Sequence, residues 1–358
     1  MTDGPKHFLM TGGGTLGSVT PLLAIAAELR KRDAHTVVSW VGTPGGPERL
    51  VVESNRIAFH ALASPKLDRY RKWSWPFIPV RLAASVAQSV KLLRQLRPHM
   101  VFSAGGFVSV PVAIAAWMLR IPVWIHQLDV VPGVANKMMA PFAKRISVTF
   151  EESAAAFPKK KTLVVGGMVR KALRQGEKDV AMKRYGFDET KSTVLVMGGG
   201  TGAAQINEAF GVLRRDLVTK ANVLHLVGRG KMLATLEEQG PNYVALEFLN
   251  EGMADAYAIA DIVVCRSGLG TISELAALGK PAIVIPFHNF EFPNAKALED
   301  RKAAEVLWYV TPQIIGQAIS RLLEHPERRE ELSKNIRALF ALNADERIVH
   351  EAMALLGN

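Results

Sequence analysis

A strand-length apolar run, a glycine cluster and a helical pattern follow one another twice in this chain. His7–Pro21 reads HFLMTGGGTLGSVTP, and Val194–Asn207 reads VLVMGGGTGAAQIN. Such a phrase is the strand, tight turn and helix of a nucleotide-binding α/β unit, in which backbone N–H groups at a helix N-terminus face phosphate oxygens. A single copy constrains little. Two copies, one near the start of each half, predict two Rossmann-like domains whose parallel sheets face each other across a cleft.

Length agrees with that division. At 358 residues the chain is long for one core, and two domains of roughly 150–200 residues are expected. Short Val/Ile-rich runs at 7–10, 35–42, 57–62, 100–106, 122–127 and 145–150 alternate with helix-length patterns. The same holds for 193–199, 222–228, 243–249, 261–268 and 281–287. That alternation predicts parallel sheets wrapped by helices. The basic stretch Pro158–Lys161 and the following Val164–Arg170 are read as the hinge region. The expected domains are 1–167 and 168–342, with a final helix in 343–358 crossing back onto the first.

Composition removes several function classes. The single cysteine, Cys265, rules out an internal disulfide framework and fits a reducing cytoplasm. Met1–Lys6 runs straight into the first strand, so no signal peptide is expected. No apolar run reaches the roughly 18 residues of a membrane span. The net charge of +11 favours polyanionic partners: nucleic acid, anionic lipid or phosphorylated substrates. An RNP aromatic motif and zinc-finger spacing are both missing, which counts against nucleic acid.

A dinucleotide enzyme is the first reading to test. Gly12-x-Gly14-x-x-Gly17 fits the GxGxxG fingerprint, and Gly198-x-Gly200-x-x-Ala203 fits its GxGxxA variant. That mechanism also needs an acid about 20 residues on, for the ribose 2′-hydroxyl. Val38–Gly42 (VSWVG) and Leu224–Gly228 (LHLVG) stand there, without a carboxylate. A phosphate-bearing ligand other than NAD(P) fits the glycine loops better.

The decisive stretch is Asp261–Glu274, DIVVCRSGLGTISE. A buried strand enters a Ser-Gly-x-Gly-Thr turn and then a helix. Backbone amides around Ser267, Gly268, Leu269, Gly270 and Thr271 are placed to hold a diphosphate. Glu274, read as lying in the helix's first turn, would accept two hydrogen bonds from a ribose diol. The plainer alternative is that Ser, Gly and Thr cap the helix while Glu274 complements its dipole.

Here the chain resembles the MurG family, peripheral-membrane glycosyltransferases that add N-acetylglucosamine to lipid I to form lipid II in peptidoglycan synthesis. The resemblance spans nearly the whole chain. It runs through Gly13-Gly14-Thr15 with Pro21, Gly105-Gly106-Phe107-Val108-Ser109, and Ile121-Pro122 to His126, Asn136 and Lys137. It continues through Val165-Gly166, Val169-Arg170, Gly198-Gly199, Gly202-Ala203, Cys265–Glu274 and Asn294-Ala295. It implies an α/β GT-B fold and an inverting transfer from UDP-GlcNAc. The acceptor it implies is the muramyl C4 hydroxyl of undecaprenyl-pyrophosphoryl-MurNAc-pentapeptide.

This sequence departs from the family pattern at several loops. GGTGGH becomes Gly13–Ser18 (GGTLGS), so the loop histidine is a serine. HEQN becomes His126-Gln127-Leu128-Asp129, and GGSQGA becomes GGGTGA with Gly200 and Thr201. GNPVR becomes Gly167-Met168 within VGGMVR. The glutamine pair that meets the donor sugar becomes Phe290-Glu291. Phosphate and ribose features are kept better than sugar and acceptor features.

The resemblance then assigns roles. On the donor side stand Thr15, Gly17, Arg170, Gly199, Gly200, Thr201, Gly202, Ser267–Thr271 and Glu274, with Leu249 and Met253 at the uracil edge. Glu291 and Asn294 would face the sugar hydroxyls, with a surface charge as the alternative for Glu291. Gly13, Gly14, Gly105, Gly106 and Asn136 fall on the acceptor side. His126 and Asp129, at the C-terminal end of a parallel strand, are the candidate bases, with a hydrogen-bonded structural role as the alternative for His126, beside Ser18, which cannot serve alone. No resident cofactor or metal site is firmly implied, and Mg²⁺ at the diphosphate stays open.

Lys66–Arg81 interleaves Lys66, Arg69, Arg71, Lys72 and Arg81 with Tyr70, Trp73, Trp75, Phe77 and Ile78. Aromatic anchors among cations suit an anionic membrane surface. The expected location is therefore peripheral, on the cytoplasmic face of the inner membrane. Alternatives are another UDP-sugar-dependent lipid glycosyltransferase, a UDP-GlcNAc 2-epimerase, and a nucleotide-sugar-binding protein without turnover.

Overall fold

The computed structural model describes residues 4–14, 17–64, 78–169, 171–198, 202–232, 240–249 and 252–357. The chain divides into two units, Met1–Met168 with Ala341–Asn358, and Val169–Phe340.

In the first unit the elements are β1 (His7–Thr11), α1 (Val19–Arg32), β2 (Val37–Gly42), α2 (Glu48–Ser54), β3 (Ala58–Ala61), α3 (Ile78–Leu96) and β4 (Met100–Ser103). They continue with α4 (Ser109–Met118), β5 (Val123–Gln127), α5 (Val134–Met139), β6 (Arg145–Val148), α6 (Glu151–Ala154) and β7 (Thr162–Val164). The second unit carries α7 (Lys178–Tyr185), β8 (Thr193–Met197), α8 (Ala204–Lys220), β9 (Asn222–Leu226), β10 (Tyr243–Leu246) and α9 (Met253–Ile259). After these come β11 (Ile262–Cys265), α10 (Leu269–Leu278), β12 (Ala282–Val284), α11 (Phe292–Asp300), β13 (Glu305–Val306), α12 (Pro312–Glu324) and α13 (Pro326–Arg337). The last helix, α14 (Ala344–Leu355), belongs to the first unit.

Each unit is built on one parallel sheet. The first has seven strands in the order β3-β2-β1-β4-β5-β6-β7, and the second six in the order β10-β9-β8-β11-β12-β13. Helices cover both faces, so central strands such as VWIHQ (β5) and TVLVM (β8) are buried along their whole length. Apolar runs without alternation are what such strands require. The strand order reverses between β1 and β4 in one sheet and between β8 and β11 in the other. Crevices at these reversals, outside the carboxyl ends of the strands, are where open α/β sheets take ligands.

Register puts the loops at each reversal side by side. Thr11 ends β1 opposite Ser103 at the end of β4, and Met197 ends β8 opposite Cys265 at the end of β11. Both glycine clusters of the sequence therefore leave the sheets at switch points.

Two features differ from the sequence reading. Val164, which opens the second stretch of the expected hinge, closes β7, an edge strand paired with β6. Strand β13 and helix α11 were not anticipated; a two-residue strand carries no periodicity to read. At the chain's end, Ala344, Ile348, Val349 and Ala352 of α14 share a core with Leu22, Ile25 and Leu29 of α1. Gly167 N–H donates to Ala341 O at 2.8 Å where the chain re-enters this unit. Gly166 beside it has φ +88°, and a Cβ there would lie 2.0 Å from the Ala341 carbonyl oxygen.

Candidate active site

At the first switch point the loops after β1 and β4 interlock. Gly106 has φ +90°, and a Cβ on it would sit 2.8 Å from Gly13 O, so backbone meets backbone without room for a side chain. Ser109 Oγ donates to Gly105 O at 2.9 Å and Thr11 Oγ1 to Ser109 Oγ at 3.3 Å, which pins the second loop to the first strand. Against the first of these loops lies Glu48, fully buried at the start of α2. Its carboxylate accepts from Thr43 N–H at 2.7 Å, from the Thr43 hydroxyl, and from Gly14 N–H at 3.2 Å. Sequence reasoning passed over Glu48, and its only signal was an acid at a helix start after Pro-Gly-Gly-Pro. Gly13 is buried by this packing, while Gly14 and Gly17 are exposed; Thr15 lies outside the described residues.

His126 is not the base that the sequence allowed. It is 1% exposed in the interior of the sheet. Its Nδ1 pairs with Ser147 Oγ at 2.9 Å, and Nε2 lies 3.5 Å from Thr149 Oγ1. Burial pulls its pKa down to about 3, so the ring is neutral and has no route to a substrate hydroxyl. The strand-end rule misplaced it because β5 extends one residue further, through Gln127.

Asn136, also buried, donates to Gln127 Oε1 at 2.6 Å, and Gln127 Nε2 in turn donates to Asp129 O at 2.8 Å. This chain shapes the 127–129 loop and leaves Asp129 partly exposed. Asn136 thus acts on the loop instead of meeting solvent, although a Cβ on Gly105 would be 3.5 Å from its Oδ1. Ser18 is buried at the N-terminus of α1, its Oγ 3.3 Å from where a Gly12 Cβ would stand.

The second switch point carries the strongest geometry. Helix α10 opens at Gly268 with no side-chain cap, and added Cβ atoms on Gly268 and Gly270 would meet nothing within 4 Å. The N–H groups of the first turn have no intrahelical acceptor. Together with the helix dipole they offer an anion seat open to space. Glu274 lies in the second turn, not the first, because α10 begins at Leu269. Dipole complementation fades beyond the first turn, so that plainer role for Glu274 loses its basis. Tyr257 of α9 donates its hydroxyl to Glu274 Oε2 at 2.8 Å and fixes the carboxylate. Tyr257 carried no motif in the sequence.

Across β8, Gly202 has φ +70° and a Cβ on it would fall 2.3 Å from Val227 O; one on Gly198 would fall 2.2 Å from Ala203 N. Only glycine fits this turn into α8. Gly199, Gly200, Thr201 and Arg170 lie outside the described residues. Leu249 and Met253 flank the entry to α9, where Phe248 beside them carries the Arg229 guanidinium 4.5 Å above its ring.

Glu291 and Asn294 are corrected. Glu291 is 2% exposed, neither a surface charge nor open to a sugar hydroxyl. Both its oxygens are engaged by the Arg266 guanidinium, and Phe287 N–H donates to Oε2 at 3.0 Å. Asn294 is buried and donates to Ser267 O at 3.1 Å, while Ser267 Oγ donates to Glu291 O at 3.0 Å. These side chains lash the turn before α10 to the turn before α11. Ser267 therefore spends its hydroxyl and its carbonyl on that tie, leaving its backbone N–H for an anion. Cys265, next in line, is inert: burial pushes its thiol up to about 12.

Two family models match this architecture, the glycosyltransferase family 28 N-terminal domain over residues 8–148 and its C-terminal domain over 193–348. An N-acetylglucosamine transferase of Bacillus anthracis, acting by its name on N-acetylmuramyl-(pentapeptide) pyrophosphoryl-undecaprenol, is 33% identical over 96% of this chain and 98% of its own. The chain belongs to the MurG branch of glycosyltransferase family 28. The MurG of Acinetobacter baumannii superposes with TM-score 0.77 at 25% identity, over 98% of this chain and 100% of that one. A UDP-GlcNAc 2-epimerase of Neisseria meningitidis shares the fold at TM-score 0.69 and 16% identity, over 98% and 100% of the two chains. The two parallel-sheet domains are thus those of a GT-B glycosyltransferase.

Proposed function

We propose that this MurG-family enzyme transfers N-acetylglucosamine from UDP-GlcNAc to the muramyl C4 hydroxyl of undecaprenyl-pyrophosphoryl-MurNAc-pentapeptide. The reading rests above all on the uncapped, open N-terminus of α10 with Glu274 held by Tyr257 behind it. Relatives named for this reaction support the acceptor. The diphosphate lies on the α10 amides, the ribose diol on Glu274, and the uracil near Leu249 and Met253. As the acceptor hydroxyl attacks the anomeric carbon and UDP departs, charge grows on the diphosphate, where preorganised N–H donors lower the barrier. Inversion follows from a single displacement. Of the three candidate bases, Asp129 is the partly exposed one, and we assign it the proton.

The membrane contact falls on the first unit. Between α3 and α4 runs an apolar groove of about 910 Å³, lined by Leu82, Val86, Val90 and Met118 and edged by Lys91 and Arg94. Trp117 and Met118 stand more than half exposed beside it. Cations around apolar anchors suit anionic lipid, which supports a peripheral location. Residues 66–77 of the Lys66–Arg81 segment lie outside the described residues. Among the described residues no helix is long and apolar enough to cross a membrane.

The test is UDP release from UDP-GlcNAc with and without a lipid I analogue in detergent, repeated in EDTA to read any Mg²⁺ dependence. A second donor sugar is the reading that Phe290-Glu291 favours, and competition by UDP-galactose and UDP-glucose separates it.

A further inference from the structure

Three polar side chains of the second unit, Tyr243, His225 and Asn207, are buried to 1% exposure or less, and the reaction described above uses none of them. Their hydrogen bonds admit one consistent placement of protons. The Val227 carbonyl can only accept, so the atom 2.9 Å from it is Asn207 Nδ2, which also reaches Lys231 O at 3.5 Å. Asn207 Oδ1 then faces His225 Nε2 at 3.1 Å and puts the ring proton there. His225 Nδ1 is left to accept from the Tyr243 hydroxyl at 2.9 Å. Buried polar groups are costly unless paired, and a fully paired run of them fixes a single arrangement.

What this run fixes is the loop after β9. Asn207 stands in the first turn of α8, and its two carbonyl partners bracket residues 227–231. Lys231 N–H donates to Gly228 O at 3.1 Å and closes the loop on itself. The same loop packs on the glycine turn between β8 and α8. A Cβ on Gly202 would stand 2.3 Å from Val227 O and 3.1 Å from Lys231 Cδ. The lysine's alkyl stem therefore lies across Gly202, while the residue as a whole is exposed. A lysine stem laid along a surface leaves its ammonium in solvent at the far end. Register sets this glycine turn next to the turn into α10, because Met197 and Cys265 end paired strands.

We propose that Lys231 is a diphosphate-binding cation of the donor site and that Asn207 and His225 are the residues that position it. The proposal rests on the donor-site reading above and adds a side-chain charge to the backbone amides of α10. The ammonium meets the negative charge that the diphosphate gains as UDP leaves. UDP binding is measured by calorimetry, and uridine binding by competition against UDP. Lys231→Ala, at an exposed site, is expected to weaken UDP about threefold to fivefold and to leave uridine unchanged. Lys231→Arg, which keeps the charge, is expected to restore UDP binding. Asn207→Ala is expected to weaken UDP by a similar factor and to add little to Lys231→Ala in the double variant, because both act through one ammonium. Unchanged UDP binding in Lys231→Ala, or equal loss of UDP and uridine, overturns the cation. Additive losses in the double variant overturn the positioning role. Absence of UDP binding in the unmutated protein is a different failure, which removes the donor-site reading and this proposal with it.

Discussion

Tyr257 on α9 donates a hydrogen bond to Glu274 on α10 across 2.8 Å, joining the helix after β10 to the helix after β11. The pair spans the reversal of strand order and presets a carboxylate beside an open helix N-terminus. Removing the carboxylate deletes charge-assisted hydrogen bonds to a ribose. Glu274→Ala should weaken UDP binding about tenfold or more, and Tyr257→Phe about threefold to tenfold. Calorimetric titration of folded variants checks both, and an unchanged constant for Glu274→Ala contradicts the ribose assignment.

Acid should destabilise the protein through two buried histidines. Burial lowers the pKa values of His126 and His225 from 6.5 to about 3. Between those limits the unfolded chain binds protons that the native state refuses, so stability falls as pH drops below 6.5 and is insensitive to these rings above it. Each contributes a slope of about 1.4 kcal/mol per pH unit. Denaturant midpoints from pH 7.5 to 4.5 measure it. His126→Gln should shallow the slope, and the turnover profile near pH 6.5 should not change shape.

Gly202 and Gly270 predict opposite outcomes for the same substitution. Gly202→Ala forces a Cβ to 2.3 Å from Val227 O at φ +70° and should cost about 2 kcal/mol or more. Gly270→Ala meets open space and should stay within about 0.5 kcal/mol of the original. Thermal denaturation of the two distinguishes a sterically required glycine from a permissive one.

Charge reversal of Lys91 and Arg94 beside the α3–α4 groove should reduce binding to anionic vesicles about tenfold or more at low salt. Binding to neutral vesicles should change little. Sedimentation with vesicles of each composition measures it, and equal loss on both would point to a folding defect.

The sequence made the switch-point loops legible because glycine clusters after apolar runs obey hard steric rules. The close packing at Gly106 and Gly202 shows those rules acting. Glu274 was readable by its spacing from Ser267. What stayed hidden were partners distant in sequence: Glu48 under Gly14, Tyr257 behind Glu274, and Arg266 on Glu291. A carboxylate's sequence position does not say which way it turns. Glu291 therefore read as sugar-facing or solvated and proved buried, while Phe290 beside it took the surface. His126 misled for a related reason. The strand-end rule locates ligand groups to within a residue or two, and in a parallel strand one residue separates the interior from the loop.

The central claim is acceptor-dependent use of UDP-GlcNAc, and UDP release with and without a lipid I analogue measures it directly. The account predicts release that requires the lipid and is strongly reduced by loss of Glu274. Tight UDP binding with no lipid-dependent release would contradict it, leaving the fold and donor site but a different acceptor or none.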